Sequence, residues 1–464
     1  MVLRPVRRGV GVSGLCAGYS ERPTDMPKLY AALAGALLYL CACSEPAAPH
    51  DTSANVPELL DRGSAIQNGK EWERVQNDYV AAREALRLDS TDVQARVDLA
   101  RVYILEARVT GEHGHYYPAA LRVLEGALRQ NELTPDERYQ ALTMLASVQL
   151  SQHEFADALQ TSQQAVRLNP YAAVGYGAIV DSYVELGRYE DAVAAADKMI
   201  QVKPDLRSYA RVSYLREIHG KVDEALQSMR LALDAGYPGT EEAAWVRLTL
   251  GDILKTYGRT EEAEAQYEMA LEDRPDYPFA EAALADLAAD RGDYAEAERL
   301  LDKATAAIPE VGFYSPLVPI YRATDRREEA EATLAEVMEM LQDDVDHGHN
   351  MNLEYADVHV NLTGDYDAAL QYTQREYDRR PDNIDVNRVL ATVYYLRGDY
   401  PAARQHADAA ARTGSRHPEL RVVDGLLAIA EGDAARGRSV LAAVDAERAQ
   451  ASPALSKAAA ENRG

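Results

Sequence analysis

From residue 59 onward the apolar positions recur three and four residues apart, in stretches broken at intervals by Gly and Pro. That is the period of an amphipathic helix, not the alternation of a strand. A separate, unbroken apolar run lies near the start, from Leu29 to Ala42, interrupted only by tyrosines.

The breaks in the long region keep phase. Four segments align: "ELGRYEDAVAAADKMIQVKPD" (185–205), "TYGRTEEAEAQYEMALEDRPD" (256–276), "DRGDYAEAERLLDKATAAIPE" (290–310) and "LTGDYDAALQYTQREYDRRPD" (362–382). In each, Gly is followed five residues later by Ala and seventeen later by Pro: Gly187/Ala192/Pro204, Gly258/Ala263/Pro275, Gly292/Ala297/Pro309 and Gly364/Ala369/Pro381. Looser copies start at Gly220 and Gly398, and a small residue stands seven before several turns, as Gly251, Ala285, Ala391 and Gly425. Gly permits a tight turn with positive φ, Ala lets two antiparallel helices approach, and Pro ends the second helix. Each unit therefore reads as helix–turn–helix.

In length and in its small, aromatic and Pro positions the unit resembles the tetratricopeptide repeat. The resemblance covers residues 59–445, about ten units, and implies an all-α, right-handed α-solenoid with a concave groove lined by the first helix of each pair. Units are placed at 136–170, 171–204, 205–238, 241–275, 276–309, 310–341, 350–381, 382–415 and 416–445, with a weaker one at 92–132 and a degenerate one at 57–90. In the 310–341 unit Asp325 stands at the turn, and Pro316 and Pro319 interrupt the first helix, so a kink or a shortened helix is expected. Inserts at 234–244 and 341–352 interrupt the array, and the second is expected to divide it into two stiff halves. Residues 446–464 read as a polar tail.

The apolar run from Leu29 is fourteen residues long, too short for a membrane-spanning helix, and it follows Lys28. It ends in Leu40-Cys41-Ala42-Cys43, which resembles the lipobox of bacterial lipoproteins. The resemblance implies a signal peptide over 1–42, cleaved before Cys43, whose thiol carries the lipid. Ser44 at the next position implies the outer membrane, facing the periplasm. Met26 begins a complete signal of its own, so both Met1 and Met26 stand as starts, Met26 the better. Residues 43–58, rich in Pro and Ala, read as a flexible tether.

Composition narrows the function. All three cysteines lie in the first 43 residues, which excludes a disulfide framework or a thiol nucleophile in the body. The net charge is −26, which sets the chain against nucleic acid. Only eight of 49 basic residues are Lys, compatible with a GC-rich genome or with high salt. Walker, GxSxG, HExxH and dinucleotide-binding motifs are absent, so no enzyme and no cofactor are expected. Two His-Gly-His triplets, 113–115 and 347–349, lie in inserts and read as solvated loops, with no metal assigned.

The groove carries the candidate site. Arg207, Arg211 and Tyr214 share one helix face, and Trp245, Asp252 and Lys255 lie on the next first helix. Trp, Tyr and Arg dominate interface hot spots, so these six are read as a partner-binding surface, with the arginines drawing an anionic group. Trp245 and Tyr209 also suit packing between repeats. The function expected is a lipid-anchored envelope scaffold for proteins or peptides, in assembly or secretion. The alternative is a groove receptor for a peptide or a small anionic ligand.

Overall fold

The computed structural model describes residues 56–462, so the signal, Met26 and Cys43 lie outside the described residues. Helix α1 spans Gly69–Leu88. Ten pairs follow among the described residues: α2/α3 (Val93–Thr110, His113–Leu128), α4/α5 (Pro135–Ser151, Phe155–Leu168), α6/α7 (Ala173–Glu185, Tyr189–Val202), α8/α9 (Leu206–Ile218, Val222–Asp234) and α10/α11 (Glu241–Thr256, Thr260–Asp273). Then come α12/α13 (Pro278–Asp290, Tyr294–Ala307), a split first helix α14 (Val311–Tyr314) and α15 (Leu317–Ala323) with α16 (Arg327–Asp346), and α17/α18 (Asn352–Val358, Tyr366–Arg379). The last pairs are α19/α20 (Ile384–Leu396, Tyr400–Ala410) and α21/α22 (Pro418–Ala430, Ala434–Ala446), closed by α23 (Pro453–Glu461). No strand occurs among the described residues, and the all-α solenoid is the observed fold.

The repeated residues do what their chemistry requires. Ala192, Ala263, Ala297 and Ala369 are fully buried, on the second helix of four different pairs. Asp325, in place of the turn glycine, still takes φ of 58°, a conformation an Asp tolerates better than most residues. The expected interruption is there: α14 and α15 are separated at Ser315-Pro316.

Both ends differ from expectation. The supposed tail contains α23, whose Leu455 is fully buried in a cluster with Leu426 and Leu427. An apolar face on 453–461 caps the exposed end of the array, as a terminal unit must. Residues 56–58, assigned to the tether, are held down: the Tyr103 hydroxyl donates to the Pro57 carbonyl at 2.7 Å. Beyond them Arg62, only 3% exposed, pairs with Glu106 at 2.5 Å and with Glu71 at 2.9 Å.

The array coils far enough for its second turn to rest on its first. Hydrogen bonds join residues at a nearly constant separation: Arg274 to Glu71 (203 apart), His153 to Asn350 (197), Ile384 to Tyr189 (195) and Arg448 to Glu261 (187). At about 34 residues per pair, one superhelical turn takes close to six pairs. The helix-turn edges at 153, 187, 220 and 258 abut the inter-pair loops near 350, 382, 414 and 447. The 341–352 insert is thus no hinge between halves: Asn350 accepts from His153 Nδ1 at 2.7 Å and its N–H reaches the Gln152 carbonyl.

The same seam overturns the reading of the His-Gly-His triplets as solvated loops for His113 and His349, while His347 stays exposed. Residues 113–115 open α3, and His113 is 2% exposed. His349, 6% exposed, lies with its ring centroid 5.7 Å from that of His113. Burial lowers the pKa of both, His349 to about 4, so neutral imidazoles fill the junction. Among the described residues no group of three or more His, Cys, Asp or Glu is placed to hold a metal ion.

Candidate functional site

First helices of neighbouring pairs pack on one another (α2 on α4, α4 on α6, α6 on α8), so they line the concave side. Where the second turn covers the first, a cavity of about 210 Å³ remains. Tyr214 and Glu217 reach it from α8, and Thr249, Asp252 and Thr256 from α10. Asp385 and Arg388 come from α19, and His417 immediately precedes α21.

Two of the six residues read from sequence, Tyr214 and Asp252, meet there. The Tyr214 hydroxyl donates to Asp385 at 3.2 Å across 171 residues of chain. Asp252 accepts from the Tyr267 hydroxyl at 2.8 Å, and Tyr267 itself lies against Gly251, where any side chain would collide with its ring. The other four lie outside this cavity. Arg211 crosses α6 above Gly177, donating to its carbonyl at 3.2 Å and to both Asp181 oxygens at 2.8 and 2.6 Å. Arg207 pairs with Glu242, and Lys255 with Asp286. Trp245 is half-buried against the apolar cluster of α8 to α12, as is Tyr209. The arginines expected to draw an anion therefore already hold carboxylates of neighbouring first helices.

The cavity is acidic instead. Burial pushes the Glu217 carboxyl up to about 7, and the nearby Asp385 charge adds to this. Burial likewise raises Asp252 to about 6 against the opposing Tyr267 hydrogen bond and Lys255. Burial works to raise Asp385 too, but the Arg388 charge, with Arg380 behind it, outweighs it and holds the carboxyl low. Burial and the Arg388 charge keep His417 neutral. Arg388, the one cation among the described residues that line the cavity, is shared between Asp385 and Glu419. The site therefore holds two carboxyls on the edge of protonation, without a dedicated cation, able to accept a hydrogen-bonding cation.

Glu217 was legible in principle, one helical turn beyond Tyr214 on the same face. Asp385, Arg388 and His417 were not, because their proximity depends on the coil closing.

Comparison with known proteins agrees with the fold. The family model described as tetratricopeptide repeat matches residues 104–173, 178–239, 248–311 and 356–418, together more than half of the chain. The longest internal gap contains the broken unit and the seam insert. Among solved structures, a thermophilic tetratricopeptide-repeat protein of Thermus thermophilus is 26% identical, with 44% of this chain and 98% of that one covered at a TM-score of 0.35. Human IFIT1, solved as a dimer with PPP-AAAA, is 15% identical over 75% of this chain and 80% of its own, at 0.45. PilW, a type IV pilus biogenesis factor, is 17% identical over 43% and 92%, at 0.36. No curated protein matches the sequence.

Proposed function

The chain belongs to the tetratricopeptide-repeat family, and from that premise we propose that it is a lipid-anchored scaffold of a bacterial cell envelope. Proteins of this family are in general non-catalytic and bind other proteins or peptides. The finer reading adds an anchor at Cys43, a place at the outer membrane facing the periplasm, and a role in envelope assembly or secretion. It rests on the lipobox-like Leu40-Cys41-Ala42-Cys43 and the short apolar run before it. One acyl chain binds a bilayer only marginally, so the anchor requires the full multi-acyl modification.

For the partner, the observation that carries most weight is the charge of the cavity between the turns. Arg207 and Arg211 are neutralised, whereas among the described residues Glu217 and Asp252 form no ion pair, Lys255 acting on Asp252 only at a distance. A partner presenting a Lys or Arg side chain gains charge-assisted hydrogen bonds there, and the overall charge of −26 steers it in.

Affinity capture from detergent-solubilised envelopes tests this. Wild type and a Glu217→Gln, Asp252→Asn double variant are compared after circular dichroism shows equal folding. Selective loss of a captured protein supports the cavity as its contact; equal recovery of every partner moves the surface elsewhere. Fractionation of cells carrying Cys43→Ser tests the anchor, and continued membrane attachment refutes it.

A further inference from the structure

A second cavity, of about 360 Å³, lies where residues 64–68 meet the end of α2, the start of α10 and the α11–α12 loop. It is remote in sequence from the Glu217 cavity and shares no lining residue with it. Its polar wall contains groups that the protein leaves unsatisfied. Glu241, the first residue of α10, is 8% exposed, and its buried Oε1 has no hydrogen-bond partner among the described residues. The Tyr277 hydroxyl, on a residue 3% exposed, has none either. Leaving such groups dry and unpaired is costly, so they ask for a ligand or ordered water.

The two arginines of the wall differ. Arg274 is committed: it donates to both Glu71 oxygens at 2.9 and 3.2 Å, and to the Gly239 carbonyl. Arg108 donates only to the Ser147 hydroxyl, at 3.3 Å, and forms no ion pair among the described residues. Burial raises the Glu241 carboxyl above its usual range, with the Arg108 and then the Arg274 charge opposing, yet neither guanidinium contacts it. Of the other two acids in the lining, Asp273 is paired with Arg247 and Asp276 is exposed, so the cavity presents a half-buried cation, Arg108, and a buried carboxyl, Glu241, each without a counter-charge in contact among the described residues. A bare cation would be repelled by Arg108 and a bare anion by Glu241. A molecule bearing both charges satisfies both, with Val109, Pro278 and Phe279 left to hold an apolar portion.

We propose that this cavity binds a small zwitterion of the α-amino-acid class, its carboxylate on Arg108 and its ammonium on Glu241 and the Tyr277 hydroxyl.

The test is calorimetric titration of the full chain, in detergent, with a panel of free L-amino acids. For each that binds, the N-acetyl and the carboxamide derivatives follow. A zwitterion site predicts that at least one amino acid binds and that removing either charge weakens it by about tenfold or more. Glu241→Gln and Arg108→Gln each abolish the same binding, with melting curves as the folding control. The derivative series needs no variant, so a misfolded mutant does not protect the proposal. It is overturned if no amino acid binds at up to about 10 mM, or if the acetylated or amidated forms bind as well as the parent.

Discussion

The backbone N–H of Ile384 donates to the Tyr189 hydroxyl at 2.8 Å, with 195 residues of chain between them. Tyr189 is 6% exposed, so the bond is shielded from water. It lies on the seam where the turn between α6 and α7 meets the loop before α19, and Asn383 donates to the Glu185 carbonyl at 3.0 Å beside it. Tyr189→Phe leaves the Ile384 N–H unpaired and is expected to cost about 1–3 kcal/mol in urea denaturation. Unchanged stability would mean that water replaces the hydroxyl.

The turn glycines divide into two sets. All have positive φ, but a Cβ at Gly187 would strike the Asp382 carbonyl, whereas nothing lies within 4 Å of one at Gly398. Gly398→Ala should therefore cost only the left-handed penalty, about 1–2 kcal/mol. Gly187→Ala should cost about 1–3 kcal/mol more and loosen the seam, visible as a larger radius in small-angle scattering. Equal effects of the two changes would place the seam elsewhere.

Ala297 is fully buried where α13 packs on α12. Ala297→Leu overpacks that pair by about 1–3 kcal/mol. Because repeats are stabilised by neighbour contacts, limited proteolysis should then cut first within 276–309. An unaltered digestion pattern would show that the interface absorbs the extra methylenes.

Burial, then Asp343 and Glu354, push the Asp344 carboxyl up to about 8 from its usual 3.8. The folded state keeps a proton that the unfolded chain releases, so the associated stability is full below pH 3.8 and is lost as pH rises to about 8. Asp344→Asn should raise the melting temperature near pH 8 and leave it unchanged near pH 4. His349 works in the opposite direction: with its pKa lowered to about 4, its contribution is full above the usual 6.5 and is lost as pH falls. A pH-independent effect of Asp344→Asn would show that its carboxyl is not protonated in the fold.

Binding of a basic partner should tighten as pH rises through about 6 and 7, where Asp252 and Glu217 ionise. Glu217→Gln should remove the upper part of that dependence and weaken binding at pH 8 by about 1.5–3 kcal/mol, read from titrations across pH. A flat profile in the wild type would separate partner binding from these carboxyls.

The turn, crossing and stop of the repeat were legible in the sequence, whereas helix α23 and the start of α3 at His113 were not. Gly187, Ala192 and Pro204 specify a turn, a close helix crossing and a stop through backbone sterics within some twenty residues, so the phase of the repeat and the all-α class follow from composition and spacing. The break at Pro316 followed for the same reason. Tyr214 and Asp252 were readable as candidates because helical period puts side chains on one face. The pairing of Arg211 with Asp181, the burial of His113 against His349, the docking of Leu455 and the meeting of Tyr214 with Asp385 were decided by the tertiary structure. The Arg211 pair and the Leu455 docking depend on how neighbouring helix pairs register, while the His113–His349 and Tyr214–Asp385 meetings depend on how small rotations between successive pairs accumulate over nearly six units until the coil closes on itself. No short-range pattern carries that sum, because the residues brought together by it have no common backbone geometry to constrain them.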